Sequence, residues 1–160
     1  MLNTSELLLM LFIMNLGIAF GAGLYEAKII LSQWFTKSPE SGYSTNIEEM
    51  NRLDSGRKFW AFVTTIPLTL LTIANFVLAW NSSEPRHQWW LAAAAITLIE
   101  RVMTFSYFIP TIIRLQKANS LTPSKISSSI STWIRVNYIR NILTIIAMIF
   151  ALRAFWLHSY

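Results

Sequence analysis

The chain has 160 residues, of which 54% are hydrophobic and only 13% charged, about half the charged share of an ordinary soluble domain. With no cysteine and only His87 and His158, it excludes disulfides, thiolate metal sites, iron–sulfur clusters and cysteine nucleophiles, and it disfavours a histidine-rich metal centre. The formal net charge of +5 is spread over short connections rather than gathered in a patch, which argues against a nucleic-acid partner.

Asn3 and Glu6 stand in capping-box register ahead of an apolar run that predicts a first helix over about residues 5–30. A secretory signal would carry a basic leading segment, whereas the early charge here is Glu6. The run therefore reads as a retained transmembrane helix. Gly17 and Gly21 form a GxxxG, a pattern that permits close helix approach. Asn15, Ala19, Ala22 and Glu26 recur at helical spacing, which turns Glu26 toward the bundle; the alternative is an interfacial carboxylate beside Lys28. Residues 31–58 form the one long connection. Trp34 and Phe35 are expected to anchor it at the interface, Ser38-Pro39-Glu40-Ser41-Gly42 is a turn cluster, and Asn46 caps a short helix ending near Asp54. Glu48, Glu49 and Asp54 read as a solvated face, not a metal site.

Residues 59–80 are uncharged and predict a second span, kinked at Pro67, with Asn75 as its polar interior residue. Asn81 to Pro85 make a tight loop. The third span, 89–113, is long enough at about 1.5 Å per residue to cross a hydrocarbon core of about 30 Å. It carries Glu100-Arg101 near its middle. Thr97, Glu100, Thr104, Tyr107, Thr111 and Arg114 follow at alternating steps of three and four, the period of an inward bundle seam, and Pro110 is expected to bend or fray the end. Residues 115–125 are polar, Ser127 to Ser129 read as a helix start, and a fourth span is expected over 130–157. There Trp133, Asn137, Arg140, Asn141, Thr144 and Met148 share a face, while Arg135 snorkels.

These elements predict one all-α domain over 1–160, an up-down-up-down four-helix bundle integral to the membrane. Lys28, Lys37, Arg52, Arg57, Lys58, Arg114, Lys117 and Lys125 fall on one side, Arg86 and Arg153 on the other. The positive-inside rule then puts both termini on the non-cytoplasmic side. The expected location is a bacterial inner membrane.

Charges at the bilayer centre cost about 2.5–3.5 kcal/mol each on insertion scales and normally face protein or a watery cavity. Glu26, Glu100 and Arg140 are therefore expected to converge, with Arg101, Asn137, Tyr107 and Asn15 near them. The preferred ion pair is Glu100 with Arg140, leaving Glu26 to Arg101 or Arg140. Interhelical polar bonds can serve simply as structural glue. The opposing reading is a network lining a ligand or reaction cavity, since several charges converge where one would suffice. Serine-triad, phosphate-loop and zinc motifs are absent.

Trp133-Ile-Arg-Val-Asn137-Tyr-Ile-Arg140-Asn141 resembles the W-x-x-x-N-H-x-R-T signature opening the last helix of a family of small four-helix membrane proteins that includes the anthrone oxygenases. Phe108-Ile-Pro110 and Gly21-Ala-Gly-Leu-Tyr25 are similar to that family's third-helix ending and small-residue first helix. The resemblance implies attention to Asn137 and Arg140. The chain departs from the pattern at Tyr138, which stands where the family has histidine, at Asn141 and at Glu26.

The resulting expectation is a membrane protein whose polar pocket takes a lipophilic, polycyclic or isoprenoid-like substrate from the bilayer. Glu26 or Glu100 would move a proton, and Arg140 with Asn137 would stabilise an enolate or oxyanion. Arg101, Tyr107, Tyr138, Trp133 and Asn15 would contact the substrate. The chemistry would be cofactor-independent oxygenation or acid–base cyclisation or isomerisation, with neither metal nor flavin. A non-catalytic membrane subunit, or a lipophile-binding protein with purely structural ion pairs, is the alternative, and a homo-oligomer is compatible with either.

Overall fold

In a computed structural model, the chain is described over residues 3–40, 42–52, 56–82, 85–117 and 121–157. The expected roles of Ser41, Asp54, Glu84 and His158 lie outside these residues. Four helices are long and apolar enough to cross a membrane: α1 (Thr4–Trp34), α3 (Arg57–Trp80), α4 (His87–Gln116) and α5 (Pro123–Trp156). Between α1 and α3 lie a hairpin, β1 (Phe35–Ser38) and β2 (Gly42–Thr45), and the short α2 (Ile47–Arg52).

Local chemistry accounts for the ends. Asn3 and Glu6 form the reciprocal capping box, and Asn46 Oδ1 accepts from the Glu49 amide at 3.2 Å. Pro39 and Glu40 lie in the turn of the antiparallel hairpin, which pairs Phe35 with Thr45 and Ser38 with Gly42. Gly42 has φ 74°, which a side chain tolerates poorly. The hairpin docks on α5 through the Tyr43 amide and Ser127 Oγ, 3.0 Å apart. That hydroxyl lies well inside α5, because the helix begins seven residues earlier than expected. Thr122 is its cap and Pro123 occupies the first turn, where a missing N–H costs nothing.

Each long helix runs antiparallel to the two it packs against. Asn75 fastens three of them. Its Nδ2 donates to the carbonyls of Leu8 at 3.2 Å and Leu71 at 2.8 Å, and its Oδ1 accepts from Trp90 Nε1 at 2.9 Å. Asn75→Leu is expected to cost about 1–3 kcal/mol by stranding the buried indole N–H. A mixed-micelle unfolding titration checks this, and an unchanged midpoint would show the bonds to be dispensable. One core holds small and apolar residues such as Phe12, Leu16, Leu68, Trp90, Ala93 and Ala147. A second surrounds Trp34, Phe35, Phe108, Leu115 and Trp133. Outside, Phe62 (73% exposed), Leu70 (64%) and Val102 (60%) belong to an apolar surface suited to lipid rather than water.

Three of the four long helices contain a π-helical turn: Glu26–Ile30 in α1, Trp60–Thr65 in α3 and Thr104–Phe108 in α4. In each, the closing amide reaches back five residues: Leu31 to Glu26, Ile66 to Ala61 and Ile109 to Thr104. Two of the turns end just before a proline. Pro67 removes the donor that Val63's carbonyl would use, and Asn15 Nδ2 donates to that carbonyl instead at 3.2 Å. Pro110 does not end its helix, which continues to Gln116.

A π turn inserts about one residue, so every later side chain rotates around the axis. In α4 the inward face runs as expected through Thr97, Glu100 and Thr104, then continues through Phe108, Ile112 and Leu115 instead of Tyr107, Thr111 and Arg114. In α1 the buried positions step five residues, from Glu26 to Leu31. This carries Trp34 and Phe35, expected at the interface, into the core at 1% and 5% exposure.

Candidate functional site

The three π turns lie around one cavity of about 220 Å³. They supply Glu26, Trp60, Thr64, Thr104 and Phe108 to its wall; α4 adds Glu100 and Arg101, and α5 adds Trp133, Arg140 and Asn141. Glu26, Glu100, Arg101, Arg140 and Trp133 of the expected site residues therefore meet. Of the others, Asn137 is fully buried and faces the Glu26 carboxylate, but outside hydrogen-bond geometry. Asn15 ties α1 to α3, Tyr107 packs edge-on against Phe108 at 5.5 Å, and Tyr138 is 43% exposed on the outer surface. None of these three lines the cavity. For Tyr107 the cause is the π turn; Tyr138 simply lies one residue past the inward Asn137 on a regular helix.

The ion pairs differ from the expected Glu100–Arg140. Arg140 Nη2 donates to Glu26 Oε2 at 3.0 Å, and Arg101 Nη2 donates to the neighbouring Glu100 Oε1 at 2.9 Å. Arg140 is already held against α1. Its guanidinium carbon stands 4.4 Å from the centre of the Phe108 ring and 5.7 Å from that of Trp60, a cation–π cradle that directs it to Glu26. Arg101, only 6% exposed, folds back onto its own neighbour.

Close approach of α1 to α5 uses Gly23 rather than the GxxxG. A Cβ on Gly23 would collide with the Asn141 carboxamide, whereas one on Gly21 would meet nothing and one on Gly17 only Met148 Sδ at 3.7 Å. Gly23→Ala is therefore expected to displace Asn141 and lower the melting temperature, while Gly21→Ala leaves it unchanged; side-by-side thermal melts decide.

Several buried polar atoms of the wall have no hydrogen-bond partner among the described residues. They are Glu100 Oε2, Arg101 Nε, Asn141 Nδ2, and Nε1 of both Trp34 and Trp133. Four donors and one carboxylate oxygen thus remain in a mostly apolar chamber. Trp34, Trp60 and Asn141 were not singled out as site residues by the sequence. Asn141 shared the inward stripe, and Pro67 hinted at distortion near Trp60, but nothing local marked the π turn that brings in Trp34. Among the described residues, no group of three or more histidines, cysteines or carboxylates could hold a metal ion. No family model, no curated protein and no solved structure matches the chain.

Proposed function

We propose that this bundle is a membrane enzyme that binds a lipophilic molecule bearing an oxygen function in the cavity and transfers a proton to or from it. The unpartnered polar atoms of the wall carry this reading. Each buried polar atom left unpaired costs about 1–3 kcal/mol, so a network serving only as glue would close on itself. Here it closes at two ion pairs, and five of the eight buried side-chain atoms left unpaired among the described residues belong to the wall of one chamber.

The open atoms divide the work. Glu26 is engaged by Arg140 and organises α1 against α5. Glu100 keeps Oε2 free and is the group able to accept a proton from an O–H or an acidic C–H. Arg101 and the indole N–H groups of Trp34 and Trp133 can donate to the substrate oxygen as negative charge builds on it, from a mostly apolar wall. The resemblance to anthrone oxygenases supplies the first form of the reaction: the carbanion adds dioxygen and the proton returns to the peroxide. In a cyclase or isomerase the proton returns to carbon. The cationic connections 31–58 and 114–125 face the cytoplasm in this reading, with both termini opposite.

The two closed ion pairs favour a second reading, a non-catalytic subunit. Native mass spectrometry of protein from its own membranes, with metabolite extraction, separates the two. Wild type is expected to carry an apolar metabolite that is depleted in Trp133→Phe and retained in Glu100→Gln, both at unchanged folding. A bare wild type, with variants altered only in stability or association, overturns the ligand reading.

A further inference from the structure

The 220 Å³ chamber is small for the polycyclic substrates that the sequence suggests. An apolar protein cavity of about 150 Å³ takes one benzene ring, so 220 Å³ has room for one ring with its oxygens or two fused rings, and is short for three. A second, larger cleft of about 700 Å³ adjoins it. Glu26, Trp34 and Trp60 line both spaces, so the two meet at these residues. The cleft's wall is mainly apolar and is built by the second half of α1 and the start of α3, through Gly21, Ala22, Tyr25, Ile30 and Phe59. Arg52 and Lys58 stand at its loop end. Five of the eight buried side-chain polar atoms without partners among the described residues belong to the inner chamber's wall, the Trp34 indole on the partition among them; Asn15 and Asn137, which line neither space, carry the other three.

From this division we infer that the ligand is bipartite: a compact, one- or two-ring head with an ionisable oxygen in the inner chamber, and an aliphatic tail in the outer cleft. The inference rests on the proposed ligand site and adds its substrate class. The chemistry of each space fits one half. Donors and a free carboxylate oxygen are wasted on an aliphatic chain, and an apolar trough offers little to an oxyanion. The tail passes between Trp34 and Trp60, and the Glu26–Arg140 pair sits at the junction.

Gly21 allows a test that leaves the inner chamber intact. It lines the outer cleft and not the inner chamber, and a Cβ there meets no atom within 4 Å, so Gly21→Leu starts from open space and adds its bulk to the trough. Full-length protein in phosphatidylcholine nanodiscs is titrated with 1-naphthol, a dodecyl-substituted 1-naphthol and anthrone, by tryptophan quenching. The variants are wild type, Gly21→Leu and Trp133→Phe; identical lipid cancels partitioning between them. Gly21→Leu is expected to bind 1-naphthol as wild type does and the dodecyl compound at least about tenfold more weakly, the loss that two or three unburied methylenes produce. Anthrone binds wild type more weakly than 1-naphthol. Equal affinity of wild type and Gly21→Leu for the dodecyl compound overturns the two-part site, as does anthrone binding more tightly than 1-naphthol; either leaves the inner ligand site standing. Failure of 1-naphthol to bind wild type, or binding indifferent to Trp133→Phe, overturns the inner site and the bipartite ligand together.

Discussion

Arg140→Met is expected to destabilise the bundle by about 3–5 kcal/mol, because it strands the Glu26 carboxylate in the protein interior. The side chains of the pair are only 12% and 7% exposed, and their 3.0 Å bond joins the second half of α1 to α5. Methionine keeps much of the volume between Phe108 and Trp60 but cannot donate. The informative comparison is the double variant Glu26→Leu with Arg140→Met. Removing both charges removes the desolvation cost along with the attraction, and such replacements are often neutral or stabilising. The double variant should therefore recover most of the loss, giving a large coupling energy in a four-variant cycle measured by unfolding in mixed micelles. Additive losses would mean that the two residues act independently, and Arg140 would then be held by its aromatic cradle alone.

The second large effect concerns Glu100. Glu100→Gln retains an oxygen for Arg101 to donate to, so the fold and the Arg101 position should survive. It loses the group able to take a proton. Turnover of the ligand identified from native membranes should fall by about 10²–10⁴-fold, the usual contribution of a general acid or base, with its affinity changed only a few-fold. Loss of affinity in proportion to turnover would instead make Glu100 a binding contact. If neither quantity moves, Glu100 serves only as the counterion of Arg101.

The uneven legibility of the chain has a physical origin. Apolar run length is a local property, and it marks all four spans; the capping box at Asn3 and the Asn46 cap are equally local and appear where their residue spacing puts them. The inward stripe of α5 was readable through Asn137, Asn141 and Thr144 because that helix keeps α-helical spacing throughout. In α1 and α4 the same method loses phase at the π turns. Tyr107 was expected in the pocket and Phe108 takes its place; Trp34 was expected at the membrane interface and lines the cavity. Proline signals two of the three π turns, whereas the one at Glu26 follows a sequence without a proline.

Partner choice was likewise beyond the linear chain. Two carboxylates and two guanidiniums on inward faces admit more than one pairing, each consistent with the same stripes. The sequence by itself determined that charge must converge inside an apolar bundle, since hydrocarbon leaves isolated Glu26, Glu100, Arg101 and Arg140 no cheaper place. Only the tertiary structure decided the rest: Phe108 and Trp60 hold Arg140 toward Glu26, Arg101 folds back onto Glu100, and most of the unpaired polar atoms belong to the wall of one chamber. Those outcomes depend on rotations of about one residue and on contacts between distant segments, which no local pattern of hydrophobicity records.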